Sequence, residues 1–298
     1  MDHRPLPYQR DDLGGPGPVV TISLEQPDRK ALVMDRALLA RLDATLDDLG
    51  ENIGGLVIAS DSARVFVAGA DLKEIDGLDD SELDAYLAYG QQVFGRIAAL
   101  PYTSVAAVDG AALGGGLELA MHCDVLLGLR PKEGERAYPI GLVEATLGIC
   151  PGWGGTNLLP ARIEPGQAIG MTASGATMIA DEAMEMGLFE SLHDSREALL
   201  EAARSRAAQR KPERSDPRRP RCVSQREHVD DVRKALERVK SELPEGDAAS
   251  AIADCVRAGV NGDWDHALAM ERRSLIRLRK TEKARASIKA FFDRSASR

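Results

Sequence analysis

The sequence predicts an α/β protein with covered sheets, followed by a helical C-terminal region. Strand-like and helix-like segments alternate over the first two thirds of the 298 residues, which is typical of a layered α/β fold. The strand-like segments are short and rich in valine, isoleucine and alanine. From about residue 195 the pattern changes to helix-forming segments with charge on one face.

Each element has a local signal. The first strand is predicted at 19–24, and a helix follows where five leucines recur at helical spacing (38, 39, 42, 46 and 49). A second helix is predicted over 81–100 because Pro101 stops it. The other predicted elements are a strand at 55–60, one from 65 that breaks at Gly69, strands at 103–110 and 124–129, and a helix from 176 that ends at Gly187 before a short strand.

Composition divides the chain into three parts. Residues 1–17 are polar and rich in proline and glycine, and we predict a flexible N-terminus there. Residues 18–200 form the predicted catalytic core, and residues 201–298 form a helical C-terminal region. Within the C-terminal region, a basic linker at 209–222 is so rich in proline and arginine that we expect it to be irregular and mobile.

Composition also narrows the class of partner. The formal net charge is −9, which disfavours nucleic acid as the main partner. No apolar run approaches the roughly 20 residues that span a bilayer, and no leader pattern is visible, so a cytoplasmic location is expected. The four cysteines and five histidines are scattered, which predicts reduced thiols and no metal site.

The stretch "GAALGGGLELA" at 110–120 combines three successive glycines with one acid, Glu118. Glycine weakens regular structure by about 1 kcal/mol per residue in a helix, so the run needs a reason. Glycines at a strand-to-helix junction let backbone N–H groups approach a ligand. The run matches no nucleotide-binding pattern, so an oxyanion is the expected ligand, with a second donor from "VAGAD" at 67–71.

Four segments in register carry a family resemblance. They are "VFVAGADLKEI", "VAAVDGAALGGGLELAMHCD", "VEATLGICPGWGGT" and "AMERRSLIRLRKTEKARASIKAFF". The chain resembles the crotonase superfamily, in particular enoyl-CoA hydratases, from about Val19 to Phe292. The resemblance implies a crotonase-like spiral of ββα units whose C-terminal helices assemble subunits into trimers, often paired as hexamers.

The resemblance also implies a site. The backbone N–H groups of Ala70 and Gly115 would bind the thioester carbonyl of an acyl-CoA, with coenzyme A as part of the substrate and no separate cofactor. Glu118 would activate water, and Glu144 would deliver a proton to C2, so that a 2-enoyl-CoA becomes a 3-hydroxyacyl-CoA. The implied coenzyme A contacts are Lys30, Ala31, Ala68, Ala70, Leu72 and Lys73.

Other activities stay open. A Δ3,Δ2-enoyl-CoA isomerase needs only the second acid, and retention of Glu118 favours the hydratase. An RNA-binding or non-catalytic CoA-binding relative is less well supported, although the run at 211–221 is basic. His122 lies four residues after Glu118, and we interpret it as a packed core residue. Insertions near 131–137 and 211–244, and Val143 where the family usually has proline, are the departures from the family pattern.

Overall fold

Two sheets organise the catalytic core of the computed structural model, which describes residues 4–29, 31–62 and 64–296. A six-stranded sheet has the order β1-β2-β3-β5-β7-β9, and a three-stranded sheet has the order β4-β6-β8. Every pairing is parallel except that of β1 with β2. In chain order the strands are Tyr8–Asp11 (β1), Val19–Leu24 (β2), Gly55–Ser60 (β3), Val65–Val67 (β4), Ser104–Val108 (β5), Ala111–Leu113 (β6), Val125–Leu129 (β7), Ile140–Gly141 (β8) and Ser191–His193 (β9).

Twelve α-helices occur in the described part of the chain. They are Arg36–Asp48 (α1), Leu72–Gly77 (α2), Asp80–Ala98 (α3), Gly115–His122 (α4), Gly155–Leu158 (α5), Pro165–Ser174 (α6), Ala180–Glu185 (α7), Arg196–Ala207 (α8), Val229–Val239 (α9), Asp247–Asn261 (α10), Trp264–Leu278 (α11) and Glu282–Ala296 (α12). Two short 3₁₀ helices lie at Glu144–Leu147 and Leu159–Ala161.

The order of these elements produces the expected spiral. Three times in succession, one strand joins the large sheet, the next joins the small sheet, and a helical segment follows: β3-β4 then α2 and α3, β5-β6 then α4, and β7-β8 then the 3₁₀ helix at 144–147. The ββα spiral predicted from the resemblance is therefore confirmed. Because the strands of the small sheet are parallel, the segments that follow β4, β6 and β8 all leave it at the same edge.

Local sequence explains the helix starts that frame this core. Asp35 caps α1 by accepting a hydrogen bond from the Leu38 N–H at 2.8 Å. At α3, Asp79 and Glu82 form a capping box in which each side chain accepts from the other residue's backbone N–H. In each helix, the residue just before the first turn is an aspartate whose carboxylate accepts from one of the free amides of that turn.

Three apolar clusters fill the layers. The largest lies between the two sheets and the helices α1, α3 and α4. A second covers the outer face of the large sheet, where Leu199, Ala203 and Ala207 of α8 pack on Val57 and Val105. A third joins α6, α9 and α10. The C-terminal region is thus packed on the core rather than held apart from it.

The N-terminal segment differs from the prediction. Residues 8–11 of the supposedly flexible stretch form β1, an antiparallel edge strand on β2. Leu6 is 1% exposed, and its N–H donates to the Thr45 hydroxyl of α1 at 2.8 Å. Arg10 donates to the Leu49 carbonyl at 2.8 Å. A single buried leucine and these long-range bonds order a stretch whose local composition favours a coil.

The basic linker at 209–222 is irregular as predicted, but it is anchored rather than mobile. Arg214 lies 2.7 Å from Oδ1 of Asp124, and Lys211 lies 3.6 Å from the same oxygen. Cys222 and Val223 are fully buried, and the Val223 N–H donates to the Asn157 carbonyl at 3.0 Å. The buried charge of Asp124, which cannot be recognised from local sequence, holds the linker in place.

Two helix predictions were also inexact. The helix expected from 176 begins only at Ala180, because residues 176–179 are extended and Met178 bridges to Ile140 of β8. The helix α6 was not predicted, since its sequence PGQAIGMTAS has glycines and no leucine stripe. Pro165 opens that helix at a position where its missing N–H costs nothing.

Candidate active site

A cavity of about 380 Å³ lies where the spiral turns converge beside the start of α4. Its walls come from the loops after β2 and β4, the glycine run, the 3₁₀ helix at 144–147, and the last two helices. The lining is mostly apolar, and it includes Val33, Leu87, Leu113, Val143, Ile149, Trp153 and Leu275. An apolar cavity with a few convergent polar groups is the usual form of a small-molecule site.

Glu118 reaches this cavity from the first turn of α4 and is 1% exposed. Its Oε1 accepts hydrogen bonds from the backbone N–H groups of Trp153 and Gly155, both at 2.8 Å. Two amide donors in a dry environment hold a carboxylate in one orientation. Glu118 is therefore a fixed acid rather than a solvated surface residue.

Glu144 enters the same cavity from the start of the 3₁₀ helix at 144–147. Its Oε2 is fully enclosed and has no hydrogen-bond partner among the residues that the structure describes. Its Oε1 lies 2.6 Å from the point that a Cβ on Gly114 would occupy. A buried carboxyl oxygen without a partner is costly, which is typical of a group kept for a ligand.

Burial shifts the pKa of both acids upward. Desolvation is the main cause for Glu118, and the backbone amides that it accepts from partly oppose the rise in its pKa. Desolvation also raises the pKa of Glu144, and the nearby Glu118 carboxylate raises it further. We expect Glu144 to have the higher pKa, because it is repelled by Glu118 and its Oε2 accepts no hydrogen bond. One proton shared unequally by two acids is the arrangement that an acid–base pair needs.

The two loops that were expected to supply amides approach each other. The Met34–Ala70 bridge uses the Gly69 carbonyl and the Asp71 N–H, so the Ala70 N–H points to the opposite side of the strand. A Cβ on Gly115 would lie 3.4 Å from that Ala70 nitrogen and 2.3 Å from Cζ3 of Trp153. Gly115 opens α4, where the first amides have no partner within the helix. Gly115 itself does not line the cavity, but Gly114 does.

Most of the expected coenzyme A contacts lie on one side of the cavity. The lining includes the predicted residues Ala31, Ala68, Ala70, Leu72 and Lys73. Lys73 is exposed at the rim, and its N–H donates to Asp71 at 2.9 Å. The predicted contact Lys30 lies outside the described residues.

Sequence reasoning missed Arg29, which also lines the cavity. Its guanidinium bridges Asp35 at 2.7 Å and Asp71 at 2.8 Å, so it ties the loop after β2 to the loop after β4. Its pKa is raised, chiefly by the hydrogen bond to Asp71. Asp35 caps α1 and Asp71 caps α2. Because these two acids lie in separate segments, the sequence around Arg29 did not indicate that it binds both of them.

The last two helices complete the cavity of their own chain. Leu275 of α11 and Phe291 and Phe292 of α12 line it. The sequence assigned this region to assembly, and assembly stays a prediction. The amphipathic C-terminal segment predicted an apolar face that must find a partner, without indicating that the face covers the site.

His122 is a core residue, which confirms the interpretation of the sequence. It is 0% exposed, its Nδ1 lies 2.8 Å from the Glu118 carbonyl oxygen, and its ring packs against Phe94 and Trp264. Burial lowers the pKa of His122 to about 4, so the ring is neutral at physiological pH.

Residues 131–137, the predicted insertion, do not line the cavity. Across 4–29, 31–62 and 64–296, no group of three or more His, Cys, Asp or Glu side chains could hold a metal ion, and no helix there is long and apolar enough to cross a membrane.

The fold and the cavity together define a class: α/β enzymes of the crotonase fold, in which a spiral core presents helix-start amides and acids to an apolar cavity. A family model described as enoyl-CoA hydratase/isomerase matches residues 15–216. The chain belongs to that enoyl-CoA hydratase/isomerase family.

Individual relatives agree with this assignment. A probable enoyl-CoA hydratase of Bacillus subtilis is 34% identical over 192 residues, which cover 64% of this chain and 71% of the relative. The alpha subunit of the fatty acid oxidation complex of Aliivibrio fischeri is 29% identical over 92% of this chain, which spans only 40% of that longer protein. The crystal structure of an enoyl-CoA hydratase from Bacillus anthracis superposes with a TM-score of 0.58 at 26% identity, and the match covers 96% of each chain.

Proposed function

We propose that this protein is an enoyl-CoA hydratase that adds water across the 2,3 double bond of a 2-enoyl-CoA to give a 3-hydroxyacyl-CoA. The observation that carries the proposal is that two acids, the buried Glu118 and the half-buried Glu144, line one apolar cavity beside the Ala70 and Gly115 amides. An isomerase needs one acid in that cavity, whereas hydration uses both.

The different surroundings of the two acids support different roles. Glu118, whose Oε1 is held by two amides, is the ionised member, and its Oε2 accepts a proton from the attacking water. The water oxygen bonds to C3, and the π electrons of the double bond move toward the thioester carbonyl. Glu144, the protonated member, gives its proton to C2 as the carbonyl reforms. The net change is one water added, with the hydroxyl group on C3 and a hydrogen on C2. Glu118 then carries the proton that Glu144 gave up, so a proton must pass from Glu118 to Glu144 before the next turnover.

The backbone amides of Ala70 and Gly115 stabilise the enolate oxygen that develops on the thioester. Donors that are already oriented need no reorganisation during the reaction, and the loss of one such donor lowers kcat by about 10²–10³ in well-studied enzymes. The need for exposed backbone N–H donors explains why this segment consists of glycines, which have no side chain to block the approach of the thioester. The exposed rim residue Lys73 supplies positive charge for the phosphates of coenzyme A.

The apolar lining and the name of the Aliivibrio relative both support a fatty acyl chain as the substrate class. We further propose a homotrimer or hexamer, in line with the resemblance, with α11 and α12 near the subunit boundary. A chain-length series of 2-enoyl-CoA substrates tests the first point, and the mass of the protein in solution tests the second.

The deciding experiment follows the loss of the conjugated enoyl absorbance when the protein is mixed with crotonyl-CoA. We expect turnover by the wild type and a loss of about 10²–10⁴ in kcat for Glu118→Gln and for Glu144→Gln. Glu74→Gln is the matched control, because Glu74 is a half-buried acid beside the cavity that does not line it. No hydration by the wild type, together with turnover of a 3-enoyl-CoA, would favour the isomerase instead.

A further inference from the structure

The turn at 153–156 is held by two buried acids that alternate along it. The N–H groups of Trp153 and Gly155 donate to Glu118, both at 2.8 Å. The N–H groups between and after them, from Gly154 and Thr156, donate to Glu271 at 2.6 and 2.9 Å. Four successive amides are thus divided between one acid in the cavity and one acid outside it.

Glu271 belongs to α11, is 0% exposed and does not line the cavity. Each of its two carboxyl oxygens accepts from one of the turn's amides, and the Thr156 hydroxyl makes a further short hydrogen bond to Oε1. Such a set of bonds around a buried carboxyl group leaves it little freedom to move. Glu271 is therefore held in one position on α11, a helix that lies more than 100 residues after the turn in the sequence.

Packing ties the same turn to the helix. Gly154 has φ +103°, a backbone conformation that favours glycine, and a Cβ there would lie 2.4 Å from the Trp264 ring at the start of α11. Gln91 of α3 donates to the Gly152 carbonyl at 2.8 Å and to the Leu268 carbonyl at 3.1 Å. The turn is therefore held between α3 and α11. Glu271 is the residue of α11 whose carboxyl group accepts from the amides of the turn.

We propose that Glu271 is a positioning residue: it fixes the turn at 153–156 so that the two remaining amides of the turn hold Glu118 in the orientation needed to activate water. This inference rests on the proposed hydratase function. Without Glu271, the Gly154 and Thr156 amides lose their acceptors in a dry core, where an unsatisfied amide costs about 1–3 kcal/mol. The turn then rotates to find other acceptors, and Glu118 Oε1 moves with it.

The first test separates kcat from KM in Glu271→Gln. The amide places an NH₂ group against a backbone N–H, so it satisfies only one of the two donors while keeping the side-chain volume. We expect kcat to fall by about 10–100-fold while KM changes by less than about 3-fold, because Glu271 does not line the cavity. Asp109→Asn is the matched control: Asp109 is 4% exposed and pairs with Arg196 at 2.8 Å, away from the cavity. That variant should lose stability and keep kcat.

A double-substitution cycle shows whether Glu271 acts through Glu118. In the Glu118→Gln background, the added Glu271→Gln substitution should lower the residual kcat by less than about 3-fold. An equal loss in both backgrounds, or a loss that appears in KM, overturns the proposal. If Glu271→Gln does not fold, Thr156→Ala keeps the backbone N–H and removes the hydroxyl that donates to Glu271 and accepts from Asn157 Nδ2 at 2.9 Å. We expect a smaller kcat loss with the same dependence on Glu118.

A crystal structure of Glu271→Gln gives a readout that does not depend on activity. We expect at least one of the Trp153 and Gly155 amides to move beyond about 3.5 Å from Glu118 Oε1, the limit of a hydrogen bond. Both amides remaining near their present distance refutes the positioning role. An inactive wild type would refute the hydratase function alone, and this structure would still decide the role of Glu271.

Discussion

Glu144 approaches Gly114 so closely that a side chain at position 114 would collide with its carboxyl group. The carboxyl Oε1 of Glu144 lies 2.6 Å from the position of a Cβ on Gly114, where real Cβ contacts do not occur. Gly114 also has φ +48° as the residue that precedes α4. The first glycine of the run is thus needed both for its conformation and for the approach of an acid from another turn of the spiral.

Gly114→Ala should abolish most of the hydratase activity, because the added methyl group pushes the Glu144 carboxyl out of place. We expect a kcat loss of at least about 10²-fold, similar to that of Glu144→Gln. The matched control is Gly134→Ala, since Gly134 has φ +83° and open space around its Cβ position. Both variants carry backbone strain, on the order of 1–3 kcal/mol for a non-glycine residue at such φ values, but only Gly114→Ala meets the acid. Equal activity of the two variants would contradict this reading of the site.

The pH dependence of hydration should be bell-shaped. The reaction needs Glu118 ionised and Glu144 protonated, and burial raises the pKa of both above the usual 4.3 of glutamate. Activity should therefore fall on the acid side well above pH 4.3, as Glu118 gains a proton. On the alkaline side it should fall as Glu144 loses its proton.

The measurement is kcat/KM for crotonyl-CoA against pH, with the two limbs assigned by variants. Glu118→Gln should lose the acid limb in its residual activity, and Glu144→Gln should lose the alkaline limb. Because the acids are coupled, the limbs give apparent values for the pair. A profile that is flat from pH 5 to pH 9 would exclude these protonation roles.

Glu144→Gln should stabilise the protein at neutral and alkaline pH. The pKa of Glu144 is raised in the folded state, so the unfolded chain loses its proton first as the pH rises. Stability is therefore lost between about pH 4.3 and the folded pKa, and glutamine removes this loss. The Tm of the variant should exceed that of the wild type by about 2 °C or more at pH 8, and the difference should shrink toward zero near pH 4.5. A gain that does not vary with pH would point to packing instead of ionisation.

Arg214→Met should destabilise the fold, because Arg214 neutralises the buried Asp124. The Arg214 side chain is 6% exposed and that of Asp124 is 0% exposed. Among the residues that the structure describes, the carboxylate would keep Lys211, at 3.6 Å, as its one ion-pair partner. We expect a loss of about 3 kcal/mol in the free energy of unfolding, measured by urea denaturation. Arg210→Met is the control, since Arg210 is 84% exposed in its pair with Glu213 and should change stability by less than about 0.5 kcal/mol.

The same contacts bear on the RNA-binding alternative. Lys211 and Arg214, two of the basic residues of the 211–221 run, are bonded internally, so they offer little charge to a phosphate backbone. In a gel shift at physiological salt, we expect no RNA complex. A complex that weakens steeply with salt and disappears when 211–221 is deleted would revive that function.

The sequence predicted some strands and the site acids well, but it did not predict contacts between distant segments. The strands at 19–24 and 55–60 were placed to the residue, because the first has a β-branched, alternating pattern and the second is an apolar run bounded by a glycine and a serine. The acids Glu118 and Glu144 were found through motifs that the family resemblance supplied. Arg29 and Glu271 were missed, since each acts on partners more than 40 residues away or on backbone amides, and neither leaves a local pattern.

The sequence by itself determined the class of fold, the glycine run beside an acid and the apolar faces of the helices, because hydrophobic periodicity and turn chemistry are written in neighbouring residues. Only the tertiary structure decided which acids share a cavity, which amides hold them and which buried charge anchors the basic linker. These relations depend on distances between segments far apart in the chain, and on the low dielectric that packing creates around them. Both arise only when the layers close.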